Sequence, residues 1–98
     1  MTCTSFSITG LQYFPAETRK ITHGSCILLK RVVHKQDKNA IAVLHGETRK
    51  QIGFVAKKNN QHMAPLLDAA GNSYRHARIT RVMNLYRAKA QCTLLVKS

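Results

Sequence analysis

Ninety-eight residues suffice for one domain with one core, and a hydrophobic content of 44% belongs to a folded module rather than a disordered tail. Sixteen lysines and arginines stand against four acids, a formal charge of +12 that no run of consecutive like charges gathers into a tail, so the charge lies on the folded surface. Most cations therefore lack an ion-pair partner within the chain, and the surface calls for a polyanion, nucleic acid first.

The three cysteines, Cys3, Cys26 and Cys92, are odd in number and far apart. That pattern fits reduced thiols, with Cys26 and Cys92 expected as small fillers of apolar strands, and not a disulfide framework. There is no charged-then-apolar signal segment, no apolar run near the ~20 residues that span a bilayer, and no basic amphipathic helix or lipid anchor. The expected setting is cytoplasmic, at the nucleoid, or nuclear in a eukaryote, without a membrane partner.

In chain order, Phe6 and Ile8 alternate with hydroxyl residues at the period of a half-buried strand. Gly10 interrupts it just before Tyr13 and Phe14, as at a bulge or a close backbone approach. Residues 15–24 are polar and basic and read as a loop. Residues 25–34 form an apolar strand that emerges toward solvent at Lys30 and Arg31, and His34 to Lys38 make a turn. Residues 39–45 and 51–56 are two strands joined by a basic hairpin loop over 46–50, so three strands form a meander.

Over 57–70 the period changes. Met63, Leu66, Leu67 and Ala70 fall at helical spacing, Asn59 or Asn60 stands ready to cap the start, and Gly71 occupies the expected left-handed stop. Pro65 marks a kink or short break. Two further strands, 74–85 and 88–97, turn near Tyr86 and Arg87. Short strands with a single main helix, in one domain over 1–98, predict a mainly β fold with one or two helices, a small antiparallel OB-like barrel with a helix plugging one end.

No catalytic constellation is legible. Glu17, Asp37, Glu47 and Asp68 form no carboxylate pair, the five histidines lack zinc spacing, nothing local activates Cys26 as a nucleophile, and no glycine-rich phosphate loop occurs. The chain is expected to be non-enzymatic and to need no cofactor. Rings interleaved with cations carry more: Tyr13, Phe14, Phe54, Tyr74 and Tyr86 lie close in sequence to Arg19, Lys20, Lys57, Lys58, Arg75 and Arg87, the pairing with which proteins stack bases and track phosphates. For Phe14 and Phe54 a core position is the alternative.

Lysines at a helix start oppose the macrodipole, so Lys57 and Lys58 fit an arriving phosphate as well as a solvated first turn. Arg75 and Arg81 share one face at strand period and Arg78 the other, where it reads equally as charge protecting an edge strand. Asp37 and Asn39 are good turn formers, Asp37 bonding its own backbone two residues on; the alternative is that Asp37 accepts a hydrogen bond from a sugar hydroxyl.

Three motifs together, Gly10-Leu11-Gln12-Tyr13-Phe14, Asp37-Lys38-Asn39-Ala40-Ile41 and Gln51-Ile52-Gly53-Phe54-Val55 leading into lysines, resemble the HIRAN domain, across roughly 6–96. The resemblance implies a modified OB-fold that binds the free 3′ end of single-stranded DNA, found ahead of Swi/Snf-type translocases or as a small stand-alone protein, with work in DNA repair, replication or recombination. It implies Tyr13 and Phe14 as the rings at the terminal bases, Asp37, with Lys38 beside it, as the acceptor of the 3′-hydroxyl, and Lys57 or Lys58 on backbone phosphates. Phe54 stands where some members place a polar contact. With Arg75 and Arg81 along the backbone path, these residues make up the expected interface.

Two positions depart from the family pattern. Gln36 stands where an aromatic often precedes the aspartate, and Gln12 where a basic residue often precedes the aromatic pair, so one stacking surface is missing. An RNA-binding small barrel and a protein-interaction or inhibitor module with a basic surface are the competing readings. The first turns on contacts to the 2′-hydroxyl, the second on whether function survives loss of the rings.

Overall fold

The computed structural model describes residues 2–32, 35–69, 75–83 and 88–94. The elements run β1 (Thr2–Thr9), a 3-10 turn (Leu11–Tyr13), α1 (Pro15–Thr18), β2 (Cys26–Arg31), β3 (Ile41–His45), β4 (Gln51–Val55), α2 (Lys57–Ala69), β5 (Arg75–Val82) and β6 (Ala88–Leu94). All strand pairs are antiparallel, and the order β1-β4-β3-β2-β5-β6 closes into a six-stranded barrel. The expected meander is β2-β3-β4, and the mainly β, OB-like architecture holds. His34, Gly71, Tyr74, Tyr86 and Arg87 lie outside the described residues.

Alternation decides which side chains fill the barrel. Phe6 and Ile8 of β1, Ile27 and Leu29 of β2, Ile41 and Val43 of β3, and Ala77 and Ile79 of β5 are buried, while Ser5, Lys30 and Arg78 between or beside them are exposed. Alanines at 77, 88 and 90 leave room for the larger side chains opposite. On α2, Asn60, Met63, Ala64 and Leu67 form the buried stripe at helical spacing, and all but the asparagine belong to the core cluster. Pro65 neither ends nor divides α2; it sits within the helix on its exposed face.

The pairing of β1 with β4 covers only Ile8–Val55 and Thr9–Phe54. Beyond it β4 turns into α2, and the strand edge it abandons is served by the helix start: the Ala56 amide donates to the Ser7 carbonyl at 2.8 Å and the Ser7 amide to Asn59 Oδ1 at 2.9 Å. Asn59 is thus spent on β1 and Asn60 on the 37–40 turn, so neither caps α2 with its side chain as the sequence suggested. Gly53 makes the β1–β4 approach possible, since a Cβ there would stand 2.6 Å from the Thr9 carbonyl oxygen.

Gly10 is neither the bulge nor the close backbone approach that its sequence suggested. It ends β1 in the left-handed region, φ 76°, and opens the 3-10 turn. The segment read as a loop holds α1, with Pro15 at its first turn and the Thr18 hydroxyl donating to the carbonyls of Leu11 (3.0 Å) and Phe14 (2.8 Å). Cys26 is exposed rather than a core filler, at the outward-facing start of β2; the side chains of Cys3 and Cys92 lie outside the described residues.

Candidate nucleic-acid interface

The turn ahead of β3 is built before it is used. Asp37 Oδ1 accepts the Asn39 amide at 2.9 Å, the local turn bond its sequence predicts. Its other oxygen accepts Asn60 Nδ2 at 2.9 Å, and Asn60 is only 2% exposed. Arg31, at the end of β2, grips the same turn from outside, donating from Nη1 to the Ala40 carbonyl (2.8 Å) and from Nη2 to the Lys38 carbonyl (2.9 Å), while Nε meets Asp68 of α2 at 2.9 Å. Turn, strand and helix are therefore locked together around one half-buried carboxylate.

Beside that carboxylate lies a pocket of about 170 Å3, lined by Gln36, Asp37, Ala40, Phe54 and Lys57. Phe54 is half-buried and outside the core cluster; it pairs with Ala42 of β3 and Thr9 of β1, so small neighbours leave its ring free on the outer wall. A methyl group on Gly10 would meet the Phe54 ring at 3.6 Å and the Tyr13 ring at 3.7 Å, so both rings close over that glycine. Tyr13 is 74% exposed. A large ring so open to water is a ready stacking surface.

The residues singled out from sequence do not all converge. Asp37, Phe54 and Lys57 line one pocket, Tyr13 borders it across Gly10, and Lys38 and Lys58 stand exposed on its flanks. Phe14 is half-buried and does not line the pocket; its carbonyl accepts the Thr18 amide and hydroxyl. Arg81 lies round the barrel on β5, opposite Lys89. The side chain of Arg75 lies outside the described residues, and its backbone pairs with Leu29.

The shared face of Arg75 and Arg81 is also corrected. A register shift between Ile79 and Arg81 adds one residue to β5, so Arg78 pairs with Gln91 and Arg81 with Lys89, two positions of equal parity on β6. Arg81 consequently shares its face with Arg78. Nor is β5 an edge strand, for it lies between β2 and β6 in a closed barrel.

Sequence reasoning names Arg31, Asn60, Gln36 and Ala40 but does not place them at the site: it reads Arg31 as a strand end, Asn60 as a helix cap, Gln36 as a departure from the family pattern and Ala40 as part of a motif. Asn60 carried a signal, a polar residue on the apolar stripe of a helix, which burial forces to find a partner. Among the described residues, no three of His, Cys, Asp and Glu gather as metal ligands, and no helix is long and apolar enough to cross a membrane.

The family model of the HIRAN domain matches residues 1–98. This chain belongs to the HIRAN domain family. HIRAN domains are nucleic-acid-binding modules, not catalytic by themselves. The crystal structure of the HIRAN domain of human HLTF is similar with a TM-score of 0.75 at 18% identity, over 94% of this chain and 74% of that one. A crystal structure of a protein from Lactobacillus plantarum is similar with a TM-score of 0.73 at 20% identity, over 93% of this chain and 95% of that one. No curated protein matches the chain.

Proposed function

We propose that this HIRAN domain captures the free 3′ end of single-stranded DNA in the pocket between the 37–40 turn, the end of β4 and the start of α2. The observation that carries this reading is the convergence of one acceptor, one ring and one cation, Asp37, Phe54 and Lys57, on a single small pocket next to the exposed Tyr13. About 170 Å3 is below the ~300 Å3 at which whole-ligand pockets begin, so the pocket suits the sugar end of a strand while the bases stack outside on the rings. Asn39 and Asn60 hold Asp37 by both of its oxygens and so orient it, and a carboxylate accepts up to about four hydrogen bonds.

A terminal hydroxyl donates to that carboxylate, whereas a terminal phosphate meets it as a like charge. Lys57 and Lys58 take the preceding phosphates, and Tyr13 takes a base, with Phe14 walling the terminal bases beside it. The biological setting consistent with this chemistry is DNA repair, replication or recombination, at the nucleoid or in a nucleus, with a Swi/Snf-type translocase as the partner that would use a captured end.

The test is a fluorescence-anisotropy titration of one short strand bearing either a 3′-hydroxyl or a 3′-phosphate, at two salt concentrations. A hydrogen bond to a charged group contributes about 1.5–3 kcal/mol, so the hydroxyl strand should bind roughly ten- to hundredfold tighter. Neutralising three to five phosphates should give a slope of log affinity against log salt of roughly −2 to −3.5. Equal affinity for both ends would refute end reading, and salt-independent affinity would refute phosphate contact.

A further inference from the structure

The end pocket has one polar wall that a deoxyribose end leaves without a role. Among the described residues its polar lining is Gln36, Asp37 and Lys57, and its apolar lining Ala40 and Phe54. With a captured 3′ end in place, Asp37 accepts the 3′-hydroxyl and Lys57 meets the preceding phosphate. Beyond those two groups a terminal deoxyribose offers only its weakly accepting ring oxygen, which cannot use both halves of the Gln36 amide.

A terminal ribose brings one more hydroxyl, on the carbon next to the one that bears the 3′-hydroxyl and on the same face of the ring. That 2′-hydroxyl both donates and accepts, and it is the group by which a protein tells the two sugars apart. A glutamine amide matches it, with two N–H donors and a carbonyl acceptor. Gln36 and Asp37 are consecutive residues ahead of β3 and line the same pocket, so amide and carboxylate are offered side by side, as the two hydroxyls of a ribose end are. The carboxylate of this pair is fixed: Asn60 holds it from α2 at 2.9 Å, and Arg31 grips the Lys38 and Ala40 carbonyls behind it at 2.9 and 2.8 Å.

We infer that the pocket reads a terminal vicinal diol: Asp37 takes the 3′-hydroxyl, Gln36 takes the 2′-hydroxyl, and a strand that ends in a ribonucleotide is the tighter ligand. This rests on the pocket as the end site and names the sugar that it takes. Gln36 is exposed, so water answers its amide when a deoxyribose is bound. Discrimination is therefore moderate and falls short of the roughly ten-thousandfold seen where a buried polar group is left unpaired. An RNA strand and a DNA strand closed by one ribonucleotide end in the same diol. Since the contact lies at the last sugar, both gain from it.

The test titrates strands of one short sequence by fluorescence anisotropy at a single salt concentration: all-DNA, DNA with one 3′-terminal ribonucleotide, DNA with that ribonucleotide moved one position inward, and all-RNA. One neutral hydrogen bond should make the ribonucleotide-ended strand bind roughly three- to tenfold tighter than all-DNA. All-RNA should share the gain, and the inward ribonucleotide should show none. A terminal 2′-O-methyl group, which cannot donate and adds bulk, should abolish it. Gln36→Leu should bring the affinities for ribose and deoxyribose ends together. Each comparison is a ratio of affinities within one protein, so a change in folded fraction cancels.

Equal affinity for ribose and deoxyribose ends would overturn the proposal, as would a gain that Gln36→Leu leaves intact. A gain shown by all-RNA alone, or equally by the inward ribonucleotide, would place the 2′-hydroxyl contact along the strand and overturn it too. Failure of the end-site reading is separable, because it appears as equal affinity for all-DNA strands ending in a 3′-hydroxyl and a 3′-phosphate. Failure of this inference alone leaves that preference standing and removes only the effect of the 2′-hydroxyl.

Discussion

The two ends of β3 handle polar groups in opposite ways. At its far end, around the hairpin over 46–50, side chains answer one another: Glu17 meets Lys20 at 3.4 Å and accepts the Thr48 hydroxyl at 3.2 Å, and His45 Nδ1 accepts the Glu47 amide at 3.2 Å. At its near end, Arg31 and Asn60 secure the turn while Asp37, Phe54 and Lys57 face a shared opening. The hairpin end has the larger hollow, about 670 Å3 against about 170 Å3, but no tyrosine or phenylalanine lines it. Volume is therefore a poorer guide to the binding end than the meeting of unlike groups on a secured frame.

The contrast is broken most severely by removing the rings. Each stacked base contributes about 1–3 kcal/mol, so Tyr13→Ala with Phe54→Ala should weaken single-strand binding by on the order of a hundredfold or more, read by anisotropy. Neither ring belongs to the core cluster, so thermal unfolding should move little. Native function after that double change would favour the protein-interaction reading instead.

Asp37→Asn sharpens it further. The amide oxygen still accepts the Asn39 amide, but the amide nitrogen meets Asn60 Nδ2 donor to donor, so stability falls as it does on loss of the Asn60 tether; in the folded fraction, loss of the charged acceptor should bring the affinities for 3′-hydroxyl and 3′-phosphate strands together, a change of roughly tenfold or more in their ratio. Asn60→Ala withdraws the buried tether. Urea unfolding should show a loss of about 1–3 kcal/mol, with weaker discrimination between the two ends even where the domain is fully folded.

The smallest effect is expected at the hairpin end. Burial pushes the Glu17 carboxyl up, but the hydrogen bond and charge of Lys20, the Thr48 hydroxyl and the charge of Lys50 outweigh it and hold the group below its ordinary range. A depressed carboxyl stabilises the fold above its unfolded pKa, and that contribution is lost as pH falls through the folded value. Glu17→Gln should therefore make stability less steep between about pH 5 and about pH 3 in urea melts, and leave DNA affinity at neutral pH unchanged.

Much of this architecture was legible because it is local. The alternation of Phe6 and Ile8, the apolar runs of β2 to β4 and the helical spacing of Met63 and Leu67 each report their own burial, and Asp-Lys-Asn reports its own turn. What escaped depends on closure. Arg31 reaches Asp68 across 37 residues and Asn60 reaches Asp37 across 23, distances over which no periodicity operates. The extra residue in β5 that moves Arg81 beside Arg78 is visible only against β6, and the short α1 is held by Thr18 bonding back to Leu11 and Phe14, not by any apolar stripe.

The most direct measurement is a titration of the isotopically labelled domain with a short 3′-hydroxyl strand, followed by amide NMR shifts. The largest changes should gather at Gly10, Tyr13, Asp37, Ala40, Phe54 and Lys57, with the hairpin over 46–50 silent. Shifts centred on Cys26, His45 and Thr48, with the 37–40 turn unmoved, would contradict the account.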